Sequence, residues 1–241
     1  MQQIKKKYLA IAPIDEDSYN YIHNRVDEIP KNDINEFIPH LVTNKNVIIQ
    51  GFFYKNDKKT YIVPEPNPVI IYFNNAFSNL KPLTVYKEKL FIELDSDIPN
   101  MDIILNYFYT FYGFAINFTS SLCEALEAFT NSRIPIEYKW RGKDKSKIIR
   151  FASIKDKLKI VIPDISNGKD FTNEYYSKYL DIENLICFRN DITHAKSDIS
   201  HKINYYNKLF ISSLDFDYSN VIESVKEYIN YYEPNLIEVI D

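Results

Sequence analysis

From Ile103 to Cys123 the chain carries no charged side chain. The run lies inside a longer stretch of helical texture, Met101 to about Ser132. There Leu122, Ala125, Leu126 and Phe129 recur at helical spacing, and Pro135 follows the end. A helix that is apolar on every side must be covered on every side. Two surroundings do this, a bilayer or the middle of a helical bundle. The run is long enough to span a bilayer. However, Asn106, Thr110, Asn117, Thr119, Ser120 and Ser121 interrupt it, and its apolar content is largely Tyr and Phe. No Lys/Arg cluster flanks it to set an orientation. The expectation is a buried bundle helix and no membrane.

The sequence after it supports a bundle. Helices are expected over about Lys145 to Val161 with Pro163 as the stop, Asn173 to Ala195, Ile203 to Leu214, and Ser219 to Tyr232 with Pro234 as the stop. Tyr176, Leu180, Leu185, Ile186 and Phe188 are expected on the inner side of the third, and Val221, Ile222, Val225 and Ile229 form a stripe on the fifth. Short loops between about five helices imply antiparallel packing. Before Ile98-Pro99-Asn100 the texture differs. Val47–Tyr54 and Thr60–Val63 read as a hairpin around Asn56-Asp57, with Val69–Phe73 a third strand and Lys89–Leu94 a weaker fourth. Pro13, Pro30, Pro39, Pro64, Pro66 and Pro68 argue against long helices there, except one from about Asp15 to Glu28. The predicted fold class is mainly α: a C-terminal antiparallel helical bundle over 100–241 with a small α+β N-terminal region over 1–99.

Composition narrows the function classes. Of 241 residues 45% are hydrophobic and 15% aromatic, so a packed core is expected. Only 4 glycines occur, and neither GxGxxG nor GxxxxGK[ST] is present, which argues against a glycine-rich phosphate loop. There is no CxxC, no HExxH and no pair of histidines at ligand spacing, so no metal and no cofactor are expected. Cys123 and Cys187 read as two buried thiols of a reducing, cytoplasmic setting. Net charge is −4, without the basic excess of a dedicated nucleic-acid binder. Locally, however, 139–159 gathers Lys139, Arg141, Lys143, Lys145, Lys147, Arg150, Lys155 and Lys157. That run is either a solvated face or a phosphate-facing patch.

Chemistry concentrates in Arg189-Asn190-Asp191-Ile192-Thr193-His194, at the end of the third expected helix. Arg is a permanent cation that suits phosphate, and His exchanges a proton near neutral pH. Cleaving a phosphodiester with a neighbouring hydroxyl needs a base, an acid and a stabiliser of charge on the phosphorus oxygens. His194 can serve as base or acid and Arg189 as stabiliser. A second imidazole must come from His201 or from His194 of a second copy. The alternative is a surface ion pair of Arg189 with Asp181, Glu183 or Asp191, with His194 merely ending the helix.

An RNxxxH motif near a helix end in an all-helical bundle resembles the HEPN superfamily, whose hallmark is Arg, four to six residues, then His, often with Asn after the Arg. The apolar approach, Ile182 to Phe188, and the helix around Leu122 to Phe129 are similar to the family's motif helix and its packing helix. The resemblance covers about Met101 to Asp241. It implies a metal-independent endoribonuclease that leaves a 2′,3′-cyclic phosphate and works as a homodimer with one composite cleft. The implied setting is toxin–antitoxin or antiviral defence, with RNA as substrate and an antitoxin or phage-derived protein as a further partner. It also allows a non-catalytic binding module. Arg189 would hold the scissile phosphate, His194 would transfer protons and Asn190 would orient the site. In one toxin subgroup a Tyr stands two residues after the His; here that position is Lys196.

Around this centre, Glu124 and Glu127 on the first bundle helix are candidates to face and tune the cleft, against a solvent face or an ion pair to Arg133. Arg141, Lys143 and Lys196 are the cations expected to meet substrate. Trp140 either stacks a base or fills the core.

Overall fold

The computed structural model describes residues 2–8, 11–13, 39–42, 47–56, 59–194 and 205–240. It divides into two compact units, Lys6–Ile70, and Met1–Lys5 with Ile71–Asp241. The division between these two units falls near residue 70. The expected helix from Asp15 to Glu28 lies outside the described residues, as do Lys196 and His201.

The smaller unit is a sheet built on one long strand. Strands β2 (Ile11–Pro13), β3 (His40–Val42) and β5 (Lys59–Pro64) all pair antiparallel with β4 (Val47–Asn56). The expected hairpin is present: Tyr54 faces Tyr61 and Phe52 faces Val63 in the β4–β5 register. Gly51 marks the point where β4 passes from its first partners to β5. A Cβ there would meet the Val63 carbonyl oxygen at 2.8 Å, closer than real Cβ atoms come.

Val69–Phe73 and Lys89–Leu94 are not strands. Both belong to one helix, α1 (Pro68–Leu94). Asn67 and Pro68 explain the difference. The Asn67 side-chain oxygen accepts the Val69 N–H at 3.0 Å, and proline at the first helical position gives up only an N–H that would be orphaned anyway. Phe73, Ala76, Leu83 and Leu90 form a buried stripe at helical spacing. Pro82 sits inside the helix, where its ring removes one backbone hydrogen bond.

In the larger unit α1 runs antiparallel to α2 (Met101–Arg133), as expected for the long apolar helix. Asn100 caps α2 through Asp102 and Ile103 N–H. Asn75 bonds Ser121 at 2.6 Å, and the Tyr86 ring meets Tyr107 and Phe114. Phe111, Ala115, Phe118, Leu122, Ala125, Leu126 and Phe129 of α2 are fully buried.

The next expected helix is broken. Asp144 caps α3 (Lys145–Phe151), and Ser153 caps α4 (Ile154–Asp156), which runs through a π-helical turn, Lys157–Val161, into α5 (Ile162–Ile165). The third expected helix is also split at Tyr175, into α6 (Phe171–Glu174) and α7 (Tyr176–Thr193). Its inner side is Tyr179, Ile182, Leu185, Ile186 and Phe188, whereas Tyr176 and Leu180 are exposed. Helices α8 (Tyr205–Asp215) and α9 (Tyr218–Tyr232) follow, with the expected α9 stripe of Val221, Ile222, Val225 and Ile229 buried. Strand β1 (Gln3–Ile4) pairs with β6 (Val239–Ile240), tied by Lys5 to Glu238. Among the described residues no helix is long and apolar enough to cross a membrane.

This packing predicts the outcome of a truncation. A chain beginning at Asp97 lacks α1 and uncovers the face of α2 that carries Ser121, Tyr107 and Phe114. It should aggregate or lose its cooperative melt. Within the full chain, Phe129→Ala should cost about 3–5 kcal/mol in chemical denaturation, since it empties a fully buried ring site.

Candidate functional site

Arg189 occupies the last turns of α7 at a position that continues the buried stripe. Ile182, Ile186 and Arg189 are spaced four and three residues apart, so the guanidinium is carried toward α2. There its Nη2 lies 4.0 Å from Glu127 Oε1, with both side chains partly exposed. The buried Cys123 thiol, one turn back on α2, feels the Arg189 charge. Burial pushes this thiol up to about 11, although Arg189 pulls the other way, so the sulfur stays protonated at neutral pH. The ion-pair partner of Arg189 is thus Glu127, and neither Asp181, Glu183 nor Asp191. Arg133 pairs with Glu233 instead.

Glu124, a turn before Glu127, is exposed. Its charge is felt at Cys123, but the carboxylate makes no ion pair to Arg189. Asn190 is exposed, and its carbonyl accepts the His194 N–H at 2.9 Å. Thr193 bonds back to the Arg189 carbonyl. His194 ends the helix with φ −111° and ψ 29°, its side chain exposed. The segment therefore presents a partly buried guanidinium 4.0 Å from a carboxylate and an exposed imidazole on the same helix end.

One participant is invisible to sequence reasoning. Lys157 is 2% exposed, yet its Nζ donates to Asn131 Oδ1 at 2.8 Å and to the Ile149 carbonyl at 3.1 Å. Burial lowers its pKa from the ordinary 10.5, opposed by the Glu127 carboxylate. It sits at the start of the π-helical turn, a distortion that recurs at functional sites. Its only sequence signal is its place in the basic run, which suggests a solvated lysine. Two cations, Lys157 and Arg189, thus share the field of one carboxylate.

The thiol of Cys187, expected to be buried, is exposed. Lys155 approaches its sulfur at 3.4 Å and pairs with Glu183 at 3.6 Å. Arg141 and Lys143 belong to a tight turn. Trp140 and Lys143 bond each other's backbones, and Arg141 (φ 51°) and Gly142 (φ 72°) both have positive φ, the signature of a type I′ turn. Trp140 packs against Ile134, Ile148 and Val161, so it is mainly a core residue, with the Arg141 guanidinium over its ring at 4.4 Å.

A groove of about 760 Å³ lies elsewhere, lined by Leu83, Phe91, Phe111, Phe216 and Tyr218 among others. None of the candidate residues lines it, and the chemistry of Arg189 and His194 outweighs its size as a guide to the site. Among the described residues no three of His, Cys, Asp and Glu come together as a metal-ligand group. Comparison with family models, with curated proteins and with solved structures finds no match to this chain.

Lys157 gives a pH test with a defined sign. A lysine whose pKa is lower in the folded state binds less proton there than when unfolded. Stability therefore rises with pH between the lowered value and 10.5. Lys157→Met should lack this contribution, so the wild-type minus variant stability should increase across that alkaline window. A constant difference would place the amine in water.

Proposed function

We propose that this chain is a metal-independent endoribonuclease of the HEPN type, with Arg189 and His194 as its working pair. The observation that carries the reading is the end of α7: a partly buried guanidinium set 4.0 Å from Glu127, and an exposed imidazole five residues on. Lys157 and Arg189 are balanced by one shared carboxylate, which leaves positive charge for an incoming phosphate to neutralise.

In this reading the ribose 2′-oxygen attacks phosphorus, a base takes its proton, and the P–O5′ bond breaks as an acid protonates the leaving oxygen. The products are a 2′,3′-cyclic phosphate and a 5′-hydroxyl. Arg189 stabilises the charge that builds on the phosphoryl oxygens. His194 carries out one proton transfer, and His194 of a second copy in a homodimer supplies the other. The setting that goes with the resemblance is toxin–antitoxin or antiviral defence, with an antitoxin or phage-derived protein as partner.

A second reading, a non-catalytic module that binds nucleotide, RNA or a partner protein, is favoured by one observation: Glu127 already engages the guanidinium in the free chain. Cleavage assays separate the two. Purified protein should cut RNA in EDTA, and His194→Ala and Arg189→Ala should each lower the rate by about a hundredfold or more. Equal rates for wild type and both variants, at equal folding, would leave the binding reading. The composite cleft also requires a dimer. A sedimenting species of one chain at micromolar concentration, from active protein, would assign the second proton transfer to another group.

A further inference from the structure

We propose that residues 139–151 form a docking surface for single-stranded RNA that feeds the Arg189 site, a proposal that takes the identity of the strand from the ribonuclease reading. The chain is acidic as a whole, yet 139–150 carries six cations and one carboxylate, Asp144. Asp144 is already used: it caps α3 through the Lys147 N–H and lies 3.9 Å from Lys147 Nζ. Among the described residues Lys139, Arg141, Lys143, Lys145 and Arg150 have no carboxylate within ion-pair distance. Like charges held this close repel one another, and a polyanion relieves them.

The backbone holds these charges in place. Arg141 takes a positive φ that a non-glycine residue seldom adopts, which fixes it at the tip of the Trp140–Lys143 turn. Ile148 anchors α3 in the core, leaving Lys147 and Arg150 exposed. Phe151, the last residue of α3, is 61% exposed, with the Arg150 guanidinium 5.2 Å from its ring. At the other end of the surface, Arg141 caps the Trp140 indole. The indole is thereby covered, so Phe151 is the ring open to a base, and cations beside an accessible ring suit a strand whose base faces are free to stack. A duplex hides those faces and would use the charge alone. An anionic membrane fits less well, because the apolar side of α3 is turned into the core.

The surface also adjoins the site. The Ile149 carbonyl of α3 accepts from Lys157, the Lys157 amine feels the charge of Glu127 on α2, and Glu127 lies 4.0 Å from Arg189.

The test is fluorescence anisotropy with the full chain carrying His194→Ala, so that cleavage does not interfere. The probes are a short labelled oligouridine, the matching oligodeoxythymidine, an RNA duplex, and phosphatidylserine vesicles. Both single strands should bind alike, and the duplex and vesicles at least about tenfold more weakly. Arg141→Glu/Lys143→Glu/Arg150→Glu should weaken strand binding by about tenfold or more and flatten the log–log salt slope by about 0.7 for each phosphate no longer neutralised. Phe151→Ser should weaken binding with the slope unchanged, and Lys81→Glu/Lys208→Glu, elsewhere on the helical unit, should have little effect. Thermal melts of the variants confirm folding. Absence of strand binding, equal weakening in the Lys81/Lys208 pair, or duplex or vesicle binding as tight as the single strand overturns the proposal. Patch-dependent binding by a chain whose wild type cuts no RNA would overturn the ribonuclease reading alone.

Discussion

Covering α2 is the constraint on which the helical unit depends. Eight of its side chains between Phe111 and Phe129 have no exposed surface, Thr119 among them, and they lie on more than one face. No single neighbour can cover that much of a helix. Helix α1 takes the side of Tyr107, Phe114 and Ser121, α8 sets Phe210 against Phe108 and Tyr112, and α9 sets Tyr218 against Phe111 and Phe118. Helix α7 then has to lie along the face that carries Cys123 and Glu127. Its stripe of Ile182 and Ile186 goes inward, and the next residue in that register is Arg189. The position of the guanidinium thus follows from packing, before any chemistry is considered.

An arginine at a stripe position is costly unless something answers its charge. Glu127 does so from the facing helix, one turn beyond Cys123. Lys157 then adds a second cation with neutral oxygens, Asn131 Oδ1 and the Ile149 carbonyl, as its hydrogen-bond acceptors. Its own burial favours the neutral amine, while Glu127 favours the charged one. The two cations compete for that carboxylate, so Glu127 is oriented from both sides while its hold on the guanidinium is looser than in a simple pair. His194, five residues on, has an exposed side chain.

What the sequence shows and what it hides follow from how local each signal is. The long α2, the β4–β5 hairpin and the buried stripe of α9 rest on unbroken periodicity, and all three are present. Helix α1 is hidden by its prolines, which ordinarily break helices. Pro68 starts this one, with Asn67 as its cap, and the packing of Phe73, Ala76, Leu83 and Leu90 tolerates Pro82 in its middle. The breaks at Ala152–Ser153 and Tyr175 carry no such signal, because neither contains glycine or proline. Arg189 and His194 stand out by residue type, but the choice of Glu127 over Glu124 needs the angle between two helices. Lys157 cannot be found at all from sequence, since its burial depends on Asn131 and Ile149 meeting it from other elements.

The distribution of charge ties the two halves of the functional reading together. Acidic residues outnumber basic ones along the chain, 33 to 29, so the chain as a whole does not attract a polyanion. Against that background a short basic segment acts differently from the same segment on a basic protein. In the proposed reading a strand would be held where cations are dense and, among the described residues, mostly without carboxylate partners. Lys157 stands at the junction, reached by Ile149 from the basic helix and by the field of Glu127 from the site. A phosphate that drew Arg189 away from Glu127 would leave that carboxylate to Lys157 alone, so the cost of releasing the guanidinium is partly met by the buried amine. The π-helical turn that places Lys157 there would thereby link the proposed strand-docking surface to the residue proposed to act on the strand.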